Sequence, residues 1–141
     1  MTHDALVGDI VKTFIEACRA CQQKPFLSIR VNDAHHIFRG SKAKPEEREK
    51  AVTEFQLFAD HPEWRLGPDL GPTMQYQFNW AIPAVRAYKL SLIRELCDSY
   101  DFDGIELDFM RHTVCFNPKT TPLEERRKIQ AAFVRAVRQA L

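Results

Sequence analysis

The sequence predicts an α/β domain with about three parallel strands and flanking helices. Three observations carry this. Helical and strand-like stretches alternate as α-β-α-(β)-α-β-α, the pattern of parallel strands joined by helical crossovers. After the turn signal Asp103-Gly104, Ile105, Leu107 and Phe109 alternate with Glu106 and Asp108, the period of a strand. The 141 residues allow one domain with a core, whereas a closed eight-unit barrel takes about 250. The chain is therefore expected to be either a small open α/β sheet or a section of a larger barrel.

From the N-terminus, Asp4 to Gln22 reads as an amphipathic helix, because Val7, Ile10, Val11, Phe14, Cys18 and Cys21 fall three and four apart. Lys24-Pro25 stops it. Phe26 to Val31 is short and rich in β-formers, a buried strand. It leads into a polar cluster, Asn32, Asp33, His35 and His36. Arg39 to Lys44 has no period and reads as a loop. Pro45-Glu46-Glu47 starts a helix whose apolar face is Ala51, Val52, Phe55, Phe58 and Ala59, and His61-Pro62 ends it.

Gly67-Pro68 and Gly71-Pro72 mark Glu63 to Thr73 as loop. Gln75 to Asn79 alternates and is the third strand candidate. Pro83 opens the next helix, with Val85, Tyr88, Leu92, Ile93 and Leu96 inward. The strand ending at Asp108 follows. Thr121-Pro122-Leu123-Glu124 reads as a capping box that launches the last helix. Ile129, Phe133, Ala136, Val137 and Ala140 form its inner face. Arg126, Arg127, Lys128, Arg135 and Arg138 read as its solvated face.

Composition excludes several classes. Hydrophobic residues at 45% and charged residues at 28% are an ordinary globular balance. A formal net charge of +1 supplies no global field for nucleic acid or a membrane surface. No apolar run approaches the about 20 residues of a membrane span. The first residues have neither the basic start nor the apolar run of a signal peptide, so the expected location as encoded is cytoplasmic, while a longer parent is compatible with secretion. Cys18, Cys21, Cys97 and Cys115 read mainly as buried free thiols. Cys18 and Cys21 form a C-x-x-C, but on a helix and without a second pair nearby. No G-x-S-x-G, P-loop or G-x-G-x-x-G occurs, and no cofactor is implied.

Three polar clusters follow the strands: Arg30, Asn32, Asp33, His35 and His36; Tyr76, Asn79 and Trp80; Glu106, Asp108, Arg111 and His112. On a parallel sheet they meet at one edge, where sites of βα proteins lie. Carboxylates beside arginine and histidine can serve as nucleophile, general acid or general base, and the lesser alternative is a structural salt-bridge layer of Glu106 and Asp108 with Arg30 and Arg111. Trp64, Tyr76 and Trp80 fit either sugar stacking or core packing. Asp33, His35, His36, Asp108 and His112 have metal-ligand chemistry, but adjacent histidines diverge on a strand and no H-E-x-x-H or H-x-H spacing appears. A metal-dependent hydrolase is thus a lesser alternative, and no metal is expected.

Phe26-Leu-Ser-Ile-Arg-Val-Asn-Asp-Ala-His-His36, His61-Pro-Glu-Trp-Arg-Leu66, Val85-Arg-Ala-Tyr88 and Tyr100-Asp-Phe-Asp-Gly-Ile-Glu-Leu-Asp-Phe-Met-Arg111 occur in this order. Together they resemble the glycosyl-hydrolase-like TIM-barrel proteins, the family 10-like glycoside hydrolases, over roughly residues 25–118. The resemblance implies a (β/α)8 barrel acting on carbohydrate, of which residues 1–141 would be a single incomplete domain, a partial TIM barrel. It implies Asp108 as nucleophile or transition-state stabiliser, with Glu106 and Arg111 beside it. Arg30, Asn32, Asp33 and His35 would line the substrate site; Trp80 joins the substrate-binding candidates from the aromatic reading, as a residue that could stack on a sugar face. The expected partner is a carbohydrate. A non-catalytic carbohydrate-binding module is the main alternative, and uncovered barrel edges would favour self-association.

Overall fold

The computed structural model describes residues 9–32, 57, 60–110 and 113–141. Its centre is a two-stranded parallel sheet of β1 (Phe26–Arg30) and β2 (Gly104–Asp108). The register runs from Phe26↔Gly104 through Ser28↔Glu106 to Arg30↔Asp108. Two flanking bonds extend the ladder: Asp103 N–H donates to Pro25 O at 2.8 Å, and Val31 N–H to Asp108 O at 3.1 Å. Alternation decides the faces. Ile29, Val31, Ile105, Leu107 and Phe109 pack on the core, while Ser28, Arg30 and Glu106 are exposed on the opposite face.

Three helices of more than two turns accompany the sheet among the described residues: α1 (Ile10–Ala20), α2 (Pro83–Ser99) and α3 (Leu123–Ala140). The α2 and α3 faces follow their periodicity. Val85 and Ile93 of α2 and Phe133 and Val137 of α3 are buried. Tyr88, Leu96, Ile129, Ala136 and Ala140 are half-buried, and Leu92 alone of these faces reaches solvent. Pro83 takes the first helical position, where no N–H is needed.

The remaining elements differ from expectation in instructive ways. In α1 the stripe is rotated: Ile15 is buried, whereas Ile10 and Phe14 are 66% and 48% exposed. Val11, Ile15 and Cys18 also satisfy the helical spacing, so the sequence offered a wide apolar arc. Arg19, one turn beyond Ile15, pairs with Asp103 at 2.6 Å and Asp101 at 3.7 Å, in the turn entering β2. At α3 the capping box does not form. The helix starts at Leu123 with Pro122 as N-cap and no side-chain cap bond. Arg126 bends back instead and donates from Nε to Thr121 O at 2.9 Å.

Gln75 to Asn79 is not a third parallel strand. Phe78 pairs with Arg65 in one antiparallel bridge, backed by Leu66 N–H to Gln77 O at 2.9 Å and Asn79 N–H to Trp64 O at 2.7 Å. Gly67 and Gly71, at φ +96° and +82°, reverse the chain between the two segments. Short helical turns at Pro62–Trp64, Pro68–Leu70 and Gly71–Met74 fill the excursion. Among the described residues the fold is thus a small α/β arrangement whose two-stranded sheet is not closed into a barrel. The helix expected from Pro45 lies outside the described residues apart from Leu57 and Asp60, both helical; it ends before His61. No helix among the described residues is long and apolar enough to cross a membrane.

Proline is not what ends α1. Gln23 N–H donates to Cys18 O at 2.8 Å and Gln22 N–H to Arg19 O at 3.0 Å, the paired bonds of a Schellman cap. Gln22 holds the left-handed position at φ +56°, where glycine is usual. Gln22→Gly is therefore expected to stabilise the protein by about 0.5–1 kcal/mol, the relieved Cβ strain exceeding the added freedom of the unfolded chain. A urea midpoint that rises at constant m-value is the expected reading; a lowered midpoint would contradict it.

Asn117 fastens the excursion to the segment before α3. Its Nδ2 donates to both Asp69 oxygens at 3.0 Å, and its Oδ1 accepts from Lys119 N–H at 3.0 Å. The Asn117 bond, aided by Lys119, holds the Asp69 carboxyl below its ordinary value. The folded form thus favours the carboxylate. The stabilisation is present above the ordinary value of 3.8 and lost as pH falls through the folded value. Asn117→Ala is expected to return Asp69 toward 3.8, read by NMR titration of its carboxyl carbon.

Candidate functional site

The outward face of the sheet is built by register. β1 places Phe26, Ser28 and Arg30 on it, and β2 places Gly104, Glu106 and Asp108. Neighbouring strands run about 4.8 Å apart. The sheet therefore juxtaposes Arg30 with Asp108 and Ser28 with Glu106. At the far end the Phe26 ring crosses Gly104 so closely that a Cβ there would meet it at 2.4 Å. The glycine of Asp103-Gly104 thus has a packing reason: only a residue without a side chain lets this ring lie against the strand.

Asp108 ends β2 half-buried, and its Oδ1 accepts Met110 N–H at 2.7 Å. That bond aims one oxygen back at the turn that follows the strand. Glu106 is exposed, and Met110 is 79% exposed just past the strand. Chemically the face offers two carboxylates, one guanidinium and one hydroxyl, a set that hydrogen-bonds polyols and can exchange protons with them.

Asn32 and Trp80, expected at the substrate, lie inside. Trp80 is fully buried and Asn32 is 2% exposed. Trp80 Nε1–H donates to Asn32 Oδ1 at 3.2 Å, and Asn32 Nδ2 donates to Val114 O at 3.0 Å. The indole stands edge-on to Phe133 at 4.8 Å and tilted to Phe109 at 5.7 Å. Its backbone N–H donates to Cys115 O at 2.8 Å, and Arg86 Nη1 donates to its carbonyl. Here the core-packing reading of Trp80 holds, and the tryptophan offers no free ring face. Asn32 serves it by satisfying the buried indole N–H. Gln77, fully buried, joins the same network through Asn32 Nδ2 at 3.5 Å; the sequence did not single it out. A polar residue inside an alternating run was the available signal.

Of the other aromatics, Tyr76 is buried with Arg65 over its ring at 5.8 Å. Trp64 is half-buried and stacks on His61 at 4.1 Å and 11°. His61 Nδ1 is 3.0 Å from Glu63 Oε1. Asp33, His35 and Arg111 lie outside the described residues, as do His36 and His112. Of the five metal-ligand candidates only Asp108 is described. No group of three or more potential ligands occurs among the described residues.

Arg30 also borders a cavity of about 80 Å³ together with Lys89 and the apolar walls of Ile29, Val31 and Ile93. A shallower apolar groove of about 170 Å³ runs between α2 and α3, lined by Arg86, Ala87, Leu90, Ala132, Phe133 and Ala136. Neither is lined by Glu106 or Asp108. The thiols are unbridged: Cys115 is buried, Cys18 and Cys97 are half-buried, and Cys21 is exposed, so the buried reading holds fully for Cys115 alone. Comparison with protein-family models and with curated proteins finds no match to this chain.

Proposed function

We propose that this chain carries one wall of a carbohydrate-processing site of the glycoside hydrolase type, with Asp108 as nucleophile or transition-state stabiliser and Glu106 beside it. One observation supports the reading above the others. The outward sheet face sets Arg30 against Asp108 and Ser28 against Glu106, with the apolar side chains turned to the core. In a barrel of this kind that face is the lumen, and polar groups at strand ends meet the substrate there. The resemblance of Tyr100 to Arg111 to family 10-like glycoside hydrolases points the same way.

A second reading has its own support. Glycosidases use two carboxylates flanking the scissile bond. Glu106 and Asp108 stand on one strand and one face, about 6.6 Å apart at Cα. Such a pair approaches a sugar from one side, which suits binding without hydrolysis. The experiment is to incubate the full chain with a panel of poly- and oligosaccharides. Released reducing ends are assayed, and the same sugars are titrated by calorimetry. Hydrolysis supports the enzyme, and heat of binding without product supports the binding module. Neither product nor heat across the panel would overturn both.

A further inference from the structure

Cys18 and Cys21 stand where α1 passes into its cap. Cys21 N–H donates to Cys18 O at 3.1 Å as well as to Ala17 O at 3.1 Å. A three-residue bond of this kind tightens the turn and draws side chains three apart toward one line along the axis. Helical neighbours at this spacing are about 5–6 Å apart at Cβ, and a disulfide takes about 3.5–4.5 Å. The adjustment falls on Cys21, which is the C-cap at φ −88° and ψ 9° rather than a helix-interior residue. Both thiols have access to solvent: Cys21 is exposed and Cys18 half-buried. The other thiols are less available. Burial raises Cys97 above its ordinary value and pushes Cys115 up to about 11.

We propose that Cys18 and Cys21 are a redox-active dithiol that exchanges with small disulfides of the glutathione class and closes to an intrachain bridge. The Cys21 thiolate attacks one sulfur of oxidised glutathione, its S–S bond breaks, and one glutathione thiolate leaves. The Cys18 thiolate then attacks Cys21 Sγ and expels the second. Both cysteines lose their protons, the protein is oxidised by two electrons, and one oxidised glutathione becomes two reduced molecules. The bridge clamps the turn holding Arg19, whose pairs with Asp103 and Asp101 tie α1 to the entry of β2. This inference is independent of the carbohydrate reading.

The test is to treat the full reduced chain with oxidised glutathione and read the intact mass, followed by peptide mapping. The expected product has lost two hydrogens and carries a bridge within the peptide spanning Cys18 and Cys21. Cys18→Ser is expected to stop at a stable glutathione adduct on Cys21, since the resolving thiol is gone. In the bridged form the Cys21, Gln22 and Gln23 amides should exchange about tenfold more slowly than in the reduced form. Wild-type protein that retains glutathione on Cys21, stays fully reduced, or bridges through Cys97 or Cys115 would overturn the proposal.

Discussion

Trp80→Ala is expected to cost about 3–5 kcal/mol, a large part of the stability of a domain this size. The indole is fully buried between Phe109 and Phe133, and its N–H is the partner of Asn32 Oδ1. Truncation opens a cavity and also removes the indole's bond to the asparagine oxygen. Trp80→Phe separates the two effects. It keeps an aromatic edge for Phe133 but removes the donor, and about 1–3 kcal/mol is expected. Urea unfolding followed by near-ultraviolet circular dichroism measures both. If Trp80→Ala left the midpoint unchanged while weakening sugar binding, the buried placement would be refuted and a stacking platform restored.

Asp108→Asn carries the other large effect, on turnover rather than stability. The amide keeps the shape and an oxygen to accept Met110 N–H, so stability is expected to change by no more than about 1 kcal/mol. Under the glycoside hydrolase proposal, loss of the charge would remove the nucleophile or the electrostatic partner of a developing oxocarbenium ion, and any hydrolysis by the chain is then expected to fall about 100- to 10,000-fold. Glu106→Gln should fall less if it only supports Asp108, and alike if the two share the chemistry. Equal turnover in wild type and Asp108→Asn would remove Asp108 from the reaction. Equal binding by both, without turnover in either, would favour the binding module.

The legible parts were those decided locally. β1 and β2, the faces of α2 and α3 and the outward direction of Glu106 all follow from periods of 2 and 3.6 within short windows. What escaped was decided by distant partners. The buried edge of α1 is not marked by its own spacing, and its Arg19 pairs with Asp101 and Asp103, eighty-odd residues away. Gln75 to Asn79 alternates as a strand does, yet its neighbour is Arg65 to Leu66 because two left-handed glycines fold it back. Asn32 and Trp80 follow strand-like runs as ligand-binding residues often do, but a hydrogen bond across 48 positions makes them partners in the core.

Local pattern alone specifies an α/β chain with a carboxylate-bearing strand at Gly104 to Asp108 whose apolar side faces inward. That is a property of alternation, which one strand expresses alone. Which polar residues stand beside those carboxylates depends on long-range pairing. Parallel pairing set Arg30 opposite Asp108 and Ser28 opposite Glu106, and burial withdrew Asn32 and Trp80. Side-chain polarity is local, whereas exposure depends on what the rest of the chain packs above it.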